Sequence, residues 1–295
     1  MKKIIIFGTG EFGKNAFKYY SKNSFIKVLA FCDNNKDRYN QKLFNTKIIS
    51  PEILTKTCFD YIYIASSFDN EIYKQLIDMN IKKEQIRILN ISEVTPKLSH
   101  GNRLSLAEEL MLFIAYLLNE YNIDYHIDHG TLLGIIRDNS LMPWDIDVDF
   151  ACKSQDIDSV LNILNSNLIK FNSQYCQTNN WKYSLHNCYL STEHFNKSLP
   201  MVIKIFNESK EEITNMFFLD IEFKYKYLNS IYWSIGSRVL KVEEKICFPS
   251  TSIKYKGKIL NIAKCSEDYL TILYGDWKKV VKNWSYNEFD TKKKT

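Results

Sequence analysis

The sequence predicts an α/β N-terminal half-domain built on a parallel sheet, followed by a second domain of α+β type. Three observations carry that expectation. Short apolar runs alternate with helical patterns over the first ninety-odd residues, a stretch with Pro96 and Gly101 breaks the rhythm, and strand and helix patterns then mix irregularly. At 295 residues the chain is long for one core, since single cores rarely exceed ~250–300 residues.

The first domain, 1–95, takes its strands from IIIFG (4–8), IKVLAFCD (26–33), YIYIAS (61–66) and IRIL (86–89). Helical spacing at 11–20 and 70–79 lies between them, which gives β-α-β units with right-handed crossovers. Directly after the first strand, GTGEFG puts Gly8, Gly10 and Gly13 at the mouth of a helix, where bare backbone N–H groups can meet a phosphate. Asp33 ends the second strand, the place of a ribose-binding acid. These four are candidates for binding a nucleotide or nucleotide-sugar. The plainer alternative is that the glycines serve a tight turn and Asp33 caps its loop. The segment resembles the small Rossmann-like domain at the N-terminus of some sugar-modifying transferases, PglD-like sugar acetyltransferases among them, which implies a domain assisting another catalytic unit. An NAD-dependent oxidoreductase, the alternative class, needs a second half to hold the nicotinamide end, and none is visible here.

Composition narrows the partners. Hydrophobic residues make up 45% and charged residues 25%, as in ordinary globular proteins, and the net charge is +5. No long Lys/Arg block with interleaved aromatics is present, so nucleic acid is not expected, while acidic substrates are compatible. Lys292, Lys293 and Lys294 could make peripheral contact with an anionic membrane surface, though a solvated tail is the simpler expectation. The seven cysteines are scattered without a CxxC pair, which argues against zinc and against a disulfide framework. MKKIIIFGTGEFG reaches glycine and charge too early for a signal peptide, and the apolar run 111–118 is too short to span a bilayer. The expected location is cytoplasmic, extending to the inner face of the membrane.

SEVTPKLSHGN (92–102) supplies the domain boundary, with 96–103 expected as linker and 104–295 as the second domain. Ser105 followed by Glu108 reads as a capping box. Leu106, Leu110, Phe113, Ile114, Leu117 and Tyr121 then recur on one face of a helix reaching about Glu120. DYHID (124–128) reads as a strand, LLGII (132–136) as a short apolar helix opened by Gly130 and Thr131, MFFLDIEF (216–223) and KILNIA (258–263) as strands, and 266–273 as a helix.

The most informative stretch is HGTLLGIIRDNSLMPWDIDVDF (129–150). Read as a strand, its end sets Asp145, Asp147 and Asp149 on one face and Ile146, Val148 and Phe150 on the other, toward the core. Strands disfavour Asp, and carboxylates ~7 Å apart on one face repel, so something positive should sit among them. Hard oxygen ligands suit Mg²⁺ or Mn²⁺ bridging to a phosphate. Gly130 and Thr131 at the helix start, and the guanidinium fork of Arg137, are the candidate phosphate side. Trp144 can stack on a base or pack beside Pro143. His126 and His129, flanking Asp128, form a poorer metal set than the aspartates.

This stretch resembles the signature of the LicD family, which includes bacterial phosphocholine transferases and fukutin. Gly130, Thr131, Leu132, Leu133, Gly134 and Arg137, then Pro143, Trp144, Asp145, Asp147 and Asp149, carry the resemblance. FFLDIEF, with Asp220, fits the third acidic strand, and YLTILYGDW, with Tyr274, Gly275, Asp276 and Trp277, fits the closing motif. The resemblance implies a nucleotidyltransferase fold over about 104–280 and transfer of a phosphorylated alcohol from a CDP-activated donor to a surface or lipid-linked glycan, with CMP released. Asp147 and Asp149, joined by Asp145 or Asp220, would then hold the metal, and Asp220 would take the acceptor's proton. A nucleotidyltransferase that makes an activated donor from a nucleoside triphosphate would use the same acids.

Overall fold

The computed structural model describes residues 1–176, 180–207, 217–236 and 238–282. They form two compact units, 1–95 and 96–295. Met216 and the lysines at 292–294 lie outside the described residues.

The N-terminal unit runs β1 (Lys2–Phe7), α1 (Glu11–Tyr20), β2 (Ile26–Cys32), β3 (Lys42–Leu43), β4 (Thr46–Ile49), β5 (Tyr61–Ile64), α2 (Asp69–Asp78), β6 (Ile86–Ile88) and α3 (Ile91–Val94). Its sheet has the order β3-β4-β2-β1-β5-β6. The pairings β1–β2, β1–β5, β2–β4 and β5–β6 are all parallel. Counting the parallel strands alone, the order reverses at β1, the switch point of a Rossmann-type sheet where ligands bind. Ile4 and Ile6 pack on one face with Ala16, Tyr20 and Phe31, while Ile5 and Phe7 pack on the other with Cys32, Ile64 and Leu76. Both faces are thus covered, which explains why the strand reads as a continuous apolar run. The sequence predicts four strands; β4 and the short β3 are additional, hidden because their runs are brief and flanked by Asn and Thr.

The C-terminal unit begins with α4 (Arg103–Glu120), β7 (Tyr125–Ile127), α5 (His129–Asp138), β8 (Val148–Lys153), α6 (Ile157–Asn167), β9 (Trp181–Ser191) and β10 (Asn196–Asn207). It continues with β11 (Phe217–Tyr227), β12 (Ser230–Ile235), β13 (Arg238–Glu243), α7 (Glu244–Cys247), β14 (Thr251–Tyr255), β15 (Lys258–Ile262) and α8 (Ser266–Tyr274). β11 is the hub of a mixed seven-stranded sheet. It pairs with β8 in parallel over 219–224, with β10 antiparallel, and with β12 antiparallel at 225–227. β7 closes against β8.

Three expectations need correction here. The segment 96–103 is not a free linker: Leu98 is buried, its N–H donates to the Asp145 carbonyl at 2.7 Å, and the Ser99 N–H donates to the Pro143 carbonyl at 2.8 Å. Ser105 is not a helix cap, since α4 starts at Arg103 after Asn102. Glu108 instead accepts from the Tyr255 hydroxyl and from Lys256 Nζ at 2.6 Å. Finally, the acid strand begins only at Val148, so Asp145, Ile146 and Asp147 belong to the loop leading into it.

Candidate functional site

The loop that carries the acids is fixed from several sides. Asp128 caps α5 by accepting from the His129 N–H at 2.8 Å, and the Thr131 hydroxyl accepts from the Asp149 N–H at 2.9 Å. Thr131 thereby ties the start of α5 to β8. The two helix glycines make room for the returning chain. A Cβ at Gly130 would stand 2.1 Å from Asp145 Oδ2, and one at Gly134 would stand 2.6 Å from the Ser140 carbonyl oxygen. Asp145 Oδ1 accepts from the Ile146 N–H at 2.9 Å. Arg103, fully buried, reaches the Ile146 carbonyl through Nη2 at 3.0 Å. Burial pulls its guanidinium down to about 10, and the charge of Asp147 opposes that shift.

Asp147, Asp149 and Asp220 converge, each offering an oxygen within 4.8 Å of the others. Asp149 and Asp220 are direct partners in the β8–β11 register, and Lys204 is the partner of Asp220 in the β10–β11 register. The Lys204 ammonium donates to Asp220 Oδ2. The positive charge expected among the acids is therefore a lysine from a strand that the sequence reading passed over. Asp220 Oδ1 is buried and has no hydrogen-bond partner among the described residues. Burial, reinforced by the neighbouring carboxylates Asp220 and Asp145, pushes Asp147 up to about 8, and burial lifts Asp145 to about 6. Asp149 is raised well above the usual carboxylate range, by burial first and then by Asp147 and Asp220. Three hard oxygen donors, one of them buried and unsatisfied, with burial and neighbouring carboxylates raising the proton affinity of Asp147 and Asp149, fit a Mg²⁺ or Mn²⁺ ion. Asp220, not Asp145, completes this set with Asp147 and Asp149.

Arg137 lies otherwise than expected, whereas Trp144 takes the packing alternative. The Arg137 fork holds the carboxylate of Asp138 at 3.0 and 2.7 Å, and its Nη1 reaches the Trp277 carbonyl at 3.4 Å. It joins α5 to the closing motif. Trp277 is buried there, with its indole N–H donating to the Thr271 hydroxyl at 3.2 Å. Trp144 is partly buried against the core of the unit, and Lys282 Nζ sits 5.4 Å from its ring centroid.

A second polar cluster lies further along the same face of β11. Lys224 Nζ is 2.8 Å from Asp128 Oδ2, 2.7 Å from Glu222 Oε2 and 3.8 Å from the Trp233 ring centroid. His129 Nε2 is 3.0 Å from the same Glu222 oxygen. Asp128, His129 and Glu222 are spaced like a metal set, but the lysine ammonium already serves two of them as the internal cation. Burial alone would raise Glu222; Lys224 and His129 outweigh it and hold the carboxyl at about 2. His129 itself has φ +44°, a left-handed conformation unusual for a side-chain-bearing residue and frequent at functional sites. A period-two alternation, Asp220, Glu222, Lys224 in LDIEFKYKY, was the sequence signal for this face.

In the N-terminal unit, two of the three glycines are demanded by packing. A Cβ at Gly8 (φ +123°) would stand 2.3 Å from the Ala65 carbonyl oxygen, and one at Gly13 would stand 2.1 Å from that of Gly8. Gly10, at the start of α1 without a side-chain cap, has nothing within 4 Å of its would-be Cβ. Asp33 is engaged by the protein itself: Oδ2 accepts from the Thr9 N–H at 3.0 Å and from the Thr9 hydroxyl, and Oδ1 accepts from the Asn35 N–H at 2.9 Å. A ribose hydroxyl would have to share those oxygens.

Comparison with known proteins finds a separate match within each unit. Residues 122–262 match the family described as LicD/FKTN/FKRP, nucleotidyltransferase domain, and residues 1–87 match C2185-like, N-terminal. No curated protein matches the chain. Among solved structures, UDP-D-quinovosamine 4-dehydrogenase from Vibrio fischeri is 18% identical over 30% of this chain and 75% of that one, with a TM-score of 0.25. A Rex-family repressor, RSP, is 17% identical over 41% of this chain and 61% of its own, with a TM-score of 0.27. Scyllo-inositol dehydrogenase from Lactobacillus casei is 10% identical over 89% and 82%, with a TM-score of 0.26. Scores this low carry no argument about activity, and the fold rests on the strand order described above.

Proposed function

We propose, from the match of residues 122–262 to the LicD family, that the C-terminal unit transfers a phosphorylated alcohol from a CDP-activated donor to a surface or lipid-linked glycan and releases CMP. The convergence of Asp147, Asp149 and Asp220 on one point beside Lys204 is the observation that carries this reading. A divalent ion held by these three acids would neutralise charge on the donor's diphosphate, the chemistry such transfers need.

The protein's own residues do the rest. Arg103 and the Leu98 and Ser99 N–H groups hold the 143–147 loop, so that Asp147 reaches the two strand-borne acids. Transfer to a hydroxyl requires a proton acceptor whose basicity suits neutral pH. Asp145, lifted to about 6 by burial, suits that task better than Asp220, whose carboxylate is tied to an ammonium. No helix among the described residues is long and apolar enough to cross a membrane. For the N-terminal unit the proposal is a nucleotide or nucleotide-sugar seat at Gly10, supported by the open space there and by its place at the sheet's switch point.

The test is mass-spectrometric. Purified protein with Mg²⁺, a panel of CDP-linked alcohols and a glycan acceptor mixture should yield CMP together with a mass gain on the acceptor. Both should disappear in Asp147→Asn. Pyrophosphate released from a nucleoside triphosphate, with no CMP from the panel, would favour synthesis of an activated donor instead.

A further inference from the structure

The LicD-type reading leaves open which side chain of this chain meets the donor's phosphates. Arg137, the candidate from the sequence, spends its fork on Asp138 and Trp277. Arg103 is fully buried, with Nη2 on the Ile146 carbonyl. Lys224 lies under the second cluster with no exposed side-chain surface. Lys204 is different. Ile203 and Ile205, its neighbours along β10, are fully buried, so alternation puts the lysine on the face opposite that core, in one cross-strand row with Asp220 and Asp149. Its side chain is 29% exposed, against 13% for Asp220 and 0% for Lys224.

The Asp220 carboxylate is also divided in a telling way. Oδ2 takes Lys204, while Oδ1 is buried without a hydrogen-bond partner among the described residues. A divalent ion on Oδ1 and the ammonium on Oδ2 can therefore be present together, side by side. An ammonium has three donors and can serve a carboxylate and a phosphate oxygen at once. Charge points the same way. Asp145, Asp147, Asp149 and Asp220 crowd the site with carboxylates, and a diphosphate arriving there needs more compensation than a single divalent ion provides.

We propose that Lys204 is the phosphate-binding cation of this site, held in place by Asp220 and donating to a non-bridging oxygen of the donor's diphosphate beside the metal. This rests on the metal-dependent phospho-transfer reading above.

Calorimetry on the full chain separates the two ideas, with Mn²⁺ first and then inorganic pyrophosphate or CDP added to the Mn²⁺-loaded protein. In Lys204→Gln, affinity for both phosphate ligands should fall at least tenfold. Mn²⁺ affinity should hold or rise, because a competing positive charge has gone. Lys204→Arg should restore most of the pyrophosphate affinity. Equal pyrophosphate affinity in wild type and Lys204→Gln would overturn the proposal while leaving the metal site standing. Mn²⁺ affinity falling together with phosphate affinity would also overturn it, since Lys204 would then merely brace Asp220. Wild-type protein that binds pyrophosphate but not CDP, with the lysine effect intact, would sustain Lys204 and sink the cytidine donor. Failure of the wild type to bind Mn²⁺ would sink both.

Discussion

Asp149 and Asp220 stand directly opposite one another in the parallel pairing of β8 with β11, two carboxylates at a sheet position where like charges destabilise. Lys204 offsets part of that repulsion from the far side of β11. The fold thus carries a local cost at a place where an ion would relieve it.

That cost gives a pH dependence with a definite sign. Asp147 is raised from 3.8 to about 8 and Asp145 to about 6, and Asp149 is also raised, in each case through burial first. The folded protein then binds these protons more tightly than the unfolded chain does, so the stability they contribute is fully present below about pH 4 and is lost as pH rises through about 6 to 8. Without divalent ions, the melting temperature should decline across that window. Asp149→Asn should make the decline shallower, and Mn²⁺ should reverse it at about pH 8, because binding displaces the protons. A melting temperature independent of pH in the metal-free wild type would contradict the assignment.

The two glycines of α5 should separate function from folding. In Gly130→Ala the new methyl meets the movable end of Asp145, so stability should change by less than ~1 kcal/mol while turnover falls by roughly 10²-fold from the displaced carboxylate. In Gly134→Ala it meets the backbone oxygen of Ser140, and destabilisation of ~1–3 kcal/mol is expected. Urea unfolding and CMP release measured on both variants check the contrast.

Lys224→Met should be among the most damaging substitutions in the chain. It leaves Asp128 and Glu222 buried with only His129 beside them, for a cost of ~3–5 kcal/mol by urea unfolding. A loss below ~1 kcal/mol would mean that the cluster is solvated or otherwise compensated.

The glycine loop of the N-terminal unit offers a parallel contrast. Gly10→Ala, at φ −72° with open space around it, should leave stability within ~0.5 kcal/mol, whereas Gly13→Ala should cost ~1–3 kcal/mol because its methyl would strike the Gly8 carbonyl. Equal losses in both variants would remove the reason to regard Gly10 as the ligand-facing glycine.

How far the sequence could be read differs between the units. Alternating apolar runs exposed the parallel sheet because strands covered on both faces are apolar throughout; the brief β4 escaped for want of length. The acids at 145–149 announced a site through their composition, but their spacing did not reveal where the loop ends, since Leu98, Ser99 and Arg103 impose that shape from a distant segment. Arg137 was misplaced because nothing local indicates that a guanidinium will fold back onto its own neighbour Asp138. Lys204, one charge in the apolar strand MVIKIF, was visible as an anomaly, yet only the β10–β11 register discloses its partner.

The most direct measurement is Mn²⁺ binding to the full chain by electron paramagnetic resonance, in the wild type, Asp149→Asn and Asp220→Asn. One bound ion is expected in the wild type, not two, because Lys224 serves the second acidic set, and its affinity should fall by about tenfold or more in each variant while circular dichroism stays unchanged. An ion held equally well by all three proteins would contradict a metal centre at Asp147, Asp149 and Asp220.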